Sequence, residues 1–531
     1  MEDQIRKAIG ETFQNAVIER PSNPAHGDYA MFIGMKSAEE VAKNIREKLG
    51  SAVAKVEVAG AGFVNITLAP ETVAFVIAEA DAKGTEWGKN TASDGQRVIV
   101  EYTDPNPFKE MHIGHLMSNI IGESLARLIQ NESANVIRAN YQGDVGPHVA
   151  KALWGLQKAG ITEPATAREI GEAYSVGSRA YGESPETEAE IDALNQAIYK
   201  GDDAALMELW RKGRDVSLEA FEQLYKILGT HFDYYFFESE TAEPGARIVR
   251  DGVGKGIFEE SEGAIIYRGE KKGLHTLVFI TSAGTPTYEA KDIGLAFLKE
   301  ERVKSDRSLI VTAAEQIGHF RVMFAALEEI APLIAEKTEH IPHGFLRLAT
   351  GKMSSREGNV ITAAGLIADM IAKASEKNAD PLVAEQVALG AIKYMILRQA
   401  PGSDIIFDEE KSLSLEGDSG PYLQYALVRA KKILAYDANG EGGTEKPSAP
   451  YAIERLIIHF PEVVARASGE LAPNLLVTYL TELASVWNAF YAIEQILGSP
   501  EEAYKQRVAR AFANTMTNGL TLLGIPAPKR M

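Results

Sequence analysis

Pro107-Phe108-Lys109-Glu110-Met111-His112-Ile113-Gly114-His115 runs at once into a helical pattern, Leu116-Met117-Ser118-Asn119-Ile120-Ile121-Gly122-Glu123-Ser124-Leu125-Ala126-Arg127-Leu128. Residues three apart on a helix share a face, so His112 and His115 can point both rings at one ligand. At a helix start that ligand meets free backbone N–H groups and the positive end of the macrodipole. Gly114 removes a side chain where a flat ring can lie against the backbone. Ahead of this stretch stand Arg97-Val98-Ile99-Val100-Glu101-Tyr102, which reads as a short buried strand, and a Pro105-Asn106-Pro107 loop. Strand, loop and helix open a nucleotide-binding α/β unit, whose ligands lie beyond the carboxyl ends of parallel strands. A triphosphate with a base attached suits these features.

Further along, Ala134–Tyr141 reads as a strand ending in the turn Gln142-Gly143-Asp144. Residues from about 156 to 235 are mostly acidic helix and read as an insertion; the sheet is expected to resume at Gly263–Tyr267, Leu277–Phe279 and Ser308–Thr312. Upstream, residues 1–85 read as a small α+β unit. It has helical pattern at Gln4–Val17 and Ala38–Leu49 and alternation at Val53–Val58 and Phe63–Leu68. A polar, glycine-bearing linker leads to a catalytic α/β domain at 96–404. From 405 to 531 the pattern is almost wholly helical, as in Tyr422–Ala435, Ile453–Arg466, Leu475–Leu497 and Arg507–Leu523, and predicts an all-α bundle.

At 531 residues the chain is too long for one ordinary core, and about three or four domains are expected. No apolar run reaches the roughly twenty residues of a membrane span, and Met1–Lys7, mixed in charge, leads into no apolar stretch of the kind a signal peptide is expected to carry. Cysteine is absent, which excludes a disulfide framework and a thiolate zinc site and fits a cytoplasmic location. The net charge of −19 argues at first against a nucleic-acid partner. Phosphate contact needs only a local basic strip, and net repulsion then makes such binding salt-sensitive.

Two histidines at this spacing also suit zinc, but a zinc site needs a third ligand, and neither H-E-x-x-H nor a cysteine pair occurs. The nucleotide reading carries a definite chemistry: a carboxylate attacks an α-phosphorus and pyrophosphate leaves. Its transition state spreads negative charge over phosphate oxygens, so donors and cations must be placed in advance. Imidazole N–H groups supply one part. Lys352-Met353-Ser354-Ser355-Arg356-Glu357-Gly358-Asn359 supplies another: its lysine can follow a leaving pyrophosphate, and its Ser and Gly residues suit a closing loop. Read alone, that string is equally a solvated polar loop.

These strings occur in order with Glu101-Tyr102-Thr103-Asp104-Pro105-Asn106, Asn140-Tyr141-Gln142-Gly143-Asp144, Thr287-Tyr288-Glu289-Ala290-Lys291-Asp292, Ala314-Glu315-Gln316, Gly417–Ala426 and the terminal Leu522–Met531. Asn23–Ala30 and Gly60–Asn65 extend the set into the first domain. As a set they resemble arginyl-tRNA synthetase, a class I aminoacyl-tRNA synthetase family, over nearly the whole chain. The resemblance implies a Rossmann-like class I catalytic domain between a tRNA-elbow domain and an anticodon-binding bundle. It implies activation of L-arginine with ATP to arginyl-adenylate, transfer to the 3′ end of tRNA(Arg), Mg2+ accompanying ATP, and tRNA required for efficient activation. A monomer is expected, with neither DNA nor a membrane as partner and no metal ligands in the chain itself.

Carried over residue by residue, the resemblance puts the arginine pocket on Glu101, Asn106, Tyr288, Asp292 and Gln316. A guanidinium is a planar fork of donors that pairs best with a carboxylate, so Asp292 is expected to face it, with Tyr288 one helical turn away. Glu101 can hold either the α-amino group or the guanidinium. The ATP site falls on His112, Gly114, His115, Lys352, Met353, Ser354 and Ser355. The class I loop commonly has a second lysine where Ser355 stands, and the resemblance makes Lys109 its replacement, so His112, His115, Lys109 and Lys352 are the expected catalytic groups. Glu357, Val145 and Ala313 stand where relatives commonly have a basic residue, tryptophan and glycine. RNA contacts in the bundle are expected from Tyr422, Tyr425, Arg429, Trp487, Asn488, Phe490 and Tyr491, since unstacked loop bases offer faces and edges to aromatic and Arg side chains. Three rival readings are another class I synthetase, a tRNA-binding paralogue without charging activity, and a small adenylyltransferase. The last fails on length and on the helical C-terminal domain.

Overall fold

The computed structural model describes residues 1–349, 361–436 and 443–531, which fall into two compact units: Thr91–Leu413, and Met1–Asn90 together with Ser414–Met531.

The first unit is built on a five-stranded sheet: β1 Arg97–Tyr102, β2 Asn135–Gln142, β3 Tyr234–Phe237, β4 Arg307–Ala313 and β5 Thr338–His343. Every pairing is parallel and the order is β5-β4-β1-β2-β3. A strand covered on both faces needs an unbroken apolar run, and β1 is buried from Val98 to Tyr102. The chain steps outward from β1 to β3 and then returns to β4 on the other side. Between β1 and β4 the strand order therefore reverses, which opens the crevice where α/β sheets take ligands.

Four helices matter for the site: α1 Ile113–Gln130, α2 Glu238–Gly254, α3 Tyr288–Arg302 and α4 Ile317–Ile330. Almost all of α1 is buried from Leu116 to Ile129. It lies close on the sheet because Gly122 has no Cβ, which would stand 2.3 Å from the Tyr102 ring. Ser118 Oγ ties it further, donating to the Val311 carbonyl of β4 at 2.6 Å.

Between β2 and β3 run four helices, Pro147–Lys158, Ala167–Ala180, Pro185–Lys200 and Ala204–Leu228, with their own apolar core. Phe108 and Val145 belong to that core, and Trp210 packs against it.

Two expectations about the sheet are corrected. Ala264–Tyr267 and Leu277–Ile280 do not continue the parallel sheet; with Glu259–Ser261 they form a separate antiparallel three-stranded sheet. Short connections favour antiparallel pairing, whereas parallel neighbours need a crossover. The true edge strands, β3 and β5, carry weak signals: β3 is four aromatic residues, and β5 contains Pro342, which an edge tolerates.

In the second unit a four-stranded antiparallel sheet has the order Ile18–Glu19, Tyr29–Phe32, Phe63–Leu68, Val53–Ala59. The first helix stops at Ile9, well short of Val17, because Gly10 takes φ +84°. Helices Gly420–Ala435, Ala452–Ile457, Phe460–Gly469, Pro473–Ile493 and Glu502–Leu522 form the bundle. The helix expected over Ile453–Arg466 is broken where Pro461 starts a new one. Helix Pro70–Lys83 packs on Glu502–Leu522, and Arg455 Nη1 meets both oxygens of buried Asp28 at 2.7 Å. Among the described residues, no helix is long and apolar enough to cross a membrane.

Candidate active site

Beyond the carboxyl ends of β1 and β4 lies a cavity of about 400 Å³. Its wall includes Glu101, Asn106, His112, Gly114, His115, Tyr288, Asp292 and Gln316. Residues drawn from four separated strings of the sequence thus share one cleft.

The loop leaving β1 is bent into a backbone region that L-residues avoid. Thr103, Asp104 and Phe108 have φ of +81°, +47° and +70°. Such residues cost of order 1–3 kcal/mol each and persist only where the surroundings over-determine them. Here the Thr103 N–H donates to Ser118 Oγ (2.9 Å) and Asn119 Nδ2 donates to Thr103 Oγ1 (3.0 Å). Asp104 Oδ1 accepts the Tyr141 N–H (2.8 Å), and the Phe108 N–H donates to Ser217 Oγ (3.0 Å). The Phe108 ring is meanwhile sunk in the inserted core, against Gly213.

His112 caps α1. Its Nδ1 accepts the Gly114 N–H at 3.0 Å, and His115 Nδ1 accepts the His112 N–H at 3.3 Å. The rings stack with centroids 3.8 Å apart. Gly114 is required because a Cβ would stand 2.8 Å from His112 Cε1; the flat ring against this backbone is the protein's own. With each Nδ1 accepting, a neutral ring must carry its proton on Nε2. Both rings do stay neutral: burial pulls each pKa down, and nearby Lys109 and His343 add to it. The pair therefore presents two Nε2–H donors.

Lys352, Met353, Ser354 and Ser355, with Glu357, lie outside the described residues. The residues that follow them do not. The Ile113 N–H donates to Ile361 O (3.2 Å) and the Ala363 N–H to Met111 O (2.8 Å), so residues 361–363 are tied to the start of α1. Lys109 is not in the cavity wall; its Nζ sits 4.7 Å from the Tyr174 ring centre. The ammonium groups that do line the wall, Lys299 and Lys337, are each paired with a glutamate.

The other end of the cavity is acidic. Tyr288 opens α3 and Asp292 follows one turn later. Gln316 ends the turn after β4. Asn106 sits against Gly143, where a Cβ would come within 2.2 Å of its Oδ1. Lys299, Glu238, Lys291 and His319, the partners found here, carry no local signal in the sequence. Glu101 is buried and paired with Lys299 at 2.5 Å, and buried Glu238 with Lys291 at 2.5 Å. Burial raises the pKa of Glu101, partly offset by Lys299, and raises that of Asp104, with Glu101 adding to it. Burial also pushes Glu238 up to about 7 against the pull of Lys291. Asp292 accepts from His319 Nε2 at 2.6 Å. The spacing Lys291, Asp292, Lys299 along one helix was the available clue, since residues seven apart return to one face.

In the bundle, Arg429 stacks over Tyr491 (3.9 Å) and Tyr425 (5.5 Å) and donates to Asn488 Oδ1 (3.2 Å). Tyr422 is half-buried on the same helix. Trp487 and Phe490 are corrections. Trp487 is fully buried, its ring stacked on Phe512 at 4.3 Å, and Phe490 is also buried. Both are core aromatics, because on an amphipathic helix they fall on the inward stripe.

Comparison with known proteins agrees with this layout. The family described as "tRNA synthetases class I (R), catalytic domain" matches residues 77–409. "DALR anticodon binding domain" matches 423–531, and "Arginyl tRNA synthetase N terminal domain" matches 1–68. An arginine–tRNA ligase of Porphyromonas gingivalis is 30% identical over 545 residues, covering 93% of this chain and 91% of that one. One from Clostridium perfringens is 29% identical, covering 100% and 99%. The solved structure of Thermus thermophilus arginyl-tRNA synthetase superposes with a TM-score of 0.83 at 25% identity, covering 100% of this chain and 99% of that one.

Proposed function

Because this chain belongs to the arginyl-tRNA synthetase family, we propose that its β1–β4 crevice is where arginine and ATP are joined. The chain is an arginine–tRNA ligase, charging tRNA(Arg) with arginine. The single observation that carries the site is one cavity whose wall holds both the paired histidines and Asp292.

The charge arrangement supports this division. At the acidic end Glu101, Asp104, Glu238 and Asp292 crowd together, and two lysines answer only Glu101 and Glu238. Asp292, which no lysine answers and whose partner is the His319 ring, suits a cationic substrate. Asp292 receives the guanidinium, Tyr288 covers it, and Asn106 and Gln316 orient the α-amino end. Glu101, neutralised by Lys299, accepts hydrogen bonds from whichever end of arginine lies against it. Such a site rejects uncharged analogues, because they leave a buried carboxylate unanswered.

At the other end His112 and His115 direct neutral Nε2–H donors at the phosphates, next to the start of α1. The arginine carboxylate attacks the α-phosphorus, forming arginyl-adenylate, and pyrophosphate leaves. Neutral imidazoles donate without a proton to lose, while positive charge for the leaving group comes from Lys109 and Lys352. Lys109 reaches it by leaving the Tyr174 ring. Gly114 makes room for the His112 ring beside the nucleotide, and Met353, Ser354 and Ser355 complete the ATP-binding set. Mg2+ travels with ATP. Mg2+ bound with nucleotides usually takes substrate phosphates among its ligands.

The segments are assigned as 1–85 for the tRNA elbow at its D-loop, 96–404 for chemistry with the insertion at about 156–235, and 405–531 for the anticodon. In the last, Tyr425, Arg429, Asn488 and Tyr491 offer a guanidinium, an amide and ring faces in one patch. The enzyme is a cytoplasmic monomer whose activation step waits for tRNA. That every cavity residue lies in Thr91–Leu413 supports a site complete in one chain.

The test is ATP–pyrophosphate exchange with each amino acid, with and without tRNA. Exchange is expected with arginine, with tRNA present, and Asp292→Ala is expected to abolish it while the fold persists. Near-normal charging by that variant would refute the pocket assignment.

A further inference from the structure

Asp292, assigned above to the guanidinium, already has an occupant. His319 Nε2 lies 2.6 Å from its Oδ2, and Nδ1 of the same ring lies 3.4 Å from Glu289 Oε1. Glu289 and Asp292 stand three residues apart on α3 and so face one way. Both nitrogens of the ring are thus turned to carboxylates. Of the other acids of this end, Glu101 is answered by the ammonium group of Lys299 and Glu238 by that of Lys291. Asp292 alone of these three is answered by a group able to drop its charge near neutral pH.

We propose that His319 is a positioning residue of the arginine seat: its imidazolium holds Asp292 while the pocket is empty and releases its proton to solvent when the guanidinium arrives. The inference rests on the assignment of Asp292 to the guanidinium.

Two cations cannot both face one half-buried carboxylate without mutual repulsion. The guanidinium cannot yield its proton, and Lys299 and Lys291 are locked on their own glutamates. The imidazole can yield. In the empty pocket burial works against its charge, but Asp292 and Glu289 outweigh burial and push its pKa up to about 10. It is therefore charged at neutral pH. From β5 the group facing it is His340, which burial and the His319 charge pull down to about 4. His340 is neutral already and has no proton to release. Glu315, on the turn ahead of α4, lines the same cavity, as do Glu101 and its partner Lys299. Once a guanidinium neutralises Asp292, Glu289 is the remaining close carboxylate, and burial then favours the neutral ring. That ring keeps its Nδ1–H for Glu289 and offers Nε2 as an acceptor to a guanidinium N–H.

The proton balance gives the sign. Free protein then binds one more proton than the complex, so raising the pH favours the complex. The arginine Kd should fall up to about tenfold per pH unit below the His319 pKa. Calorimetric titration of arginine into the full chain at pH 8, in phosphate and in Tris, reads the proton directly. About one proton per arginine is expected from the difference in apparent enthalpy. His319→Gln and His319→Asn should bind arginine with no buffer dependence, and their Kd should not change with pH. Equal enthalpies in the two buffers for the wild type overturn the proposal, and so does undiminished release from either variant. If both variants fail to fold, the wild-type buffer comparison still decides. Asp292→Asn separates the two assignments. If it binds arginine as tightly as the wild type, the seat itself is wrong. If it loses binding while the wild type releases no proton, the seat stands and the role of His319 falls.

Discussion

His148 donates from Nε2 to the Gly143 carbonyl at 2.8 Å, and burial with nearby Lys109 pulls its pKa down to about 3. His340 is pulled down to about 4, and burial lowers His343 as well. These rings stay neutral in the fold but take a proton once unfolded, where their pKa is about 6.5. Below that pH the unfolded chain binds protons that the native one refuses. Stability should therefore fall by about 1.4 kcal/mol per pH unit for each such ring. His319 has the opposite sign, its contribution being complete below about 6.5 and lost only as pH climbs towards 10. Raised carboxylates such as Glu238 act in the opposite sense, so the readout is a difference: between pH 6.5 and 5 urea melts of the wild type should lose about 1.4 kcal/mol per pH unit more than those of His148→Gln. Equal losses in the two proteins would contradict this assignment. The histidines differ equally in how readable they were. His112 and His115 announce themselves because their partners lie within three residues. His319, Lys299 and Glu238 do not, because each takes its role from a residue on another element.

The loop from Thr103 to Phe108 is held from three sides, and one of these is the inserted helix Ala204–Leu228 through Ser217. Ser217→Ala would leave the buried Phe108 N–H without an acceptor, which costs about 1–3 kcal/mol. The strained turn should relax and shift Asn106 and Lys109 together, since the Lys109 N–H donates to Asn106 O. The expected outcome is a folded protein with a lower melting temperature and a reduced arginine-dependent exchange rate; an unchanged rate would show that the insertion does not hold the loop. This coupling was invisible beforehand, because a helical insertion reads only as an amphipathic pattern. β1 and α1 were legible because their burial is written as an apolar run and a 3.6-residue period. The partners of Ala264–Tyr267 were not, since alternation fixes a face and leaves strand direction open.

The second unit joins both ends of the chain. Asp28, buried beside the Leu68 N–H, depends on Arg455 from the far end of the sequence. Arg455→Met should therefore strand a buried carboxylate, at about 3–5 kcal/mol. Melting of this unit should drop accordingly, and the double variant Arg455→Met with Asp28→Asn should recover much of the loss. Failure to recover would mean that the pair is not what fastens the two segments. Trp87 Nε1 donates to Thr515 Oγ1, and helix Pro70–Lys83 lies on Glu502–Leu522. At ribosomal speeds of about 5–20 residues per second, roughly 15–65 s pass between the synthesis of Asn90 and that of Ser414. During that interval Trp87 and the inward face of helix Pro70–Lys83 have emerged while the helices that cover them do not yet exist. The first-made part of this enzyme must stay soluble with an apolar face open while the catalytic unit is translated. Its newborn chain is thus a natural client for a chaperone long before it can bind a tRNA.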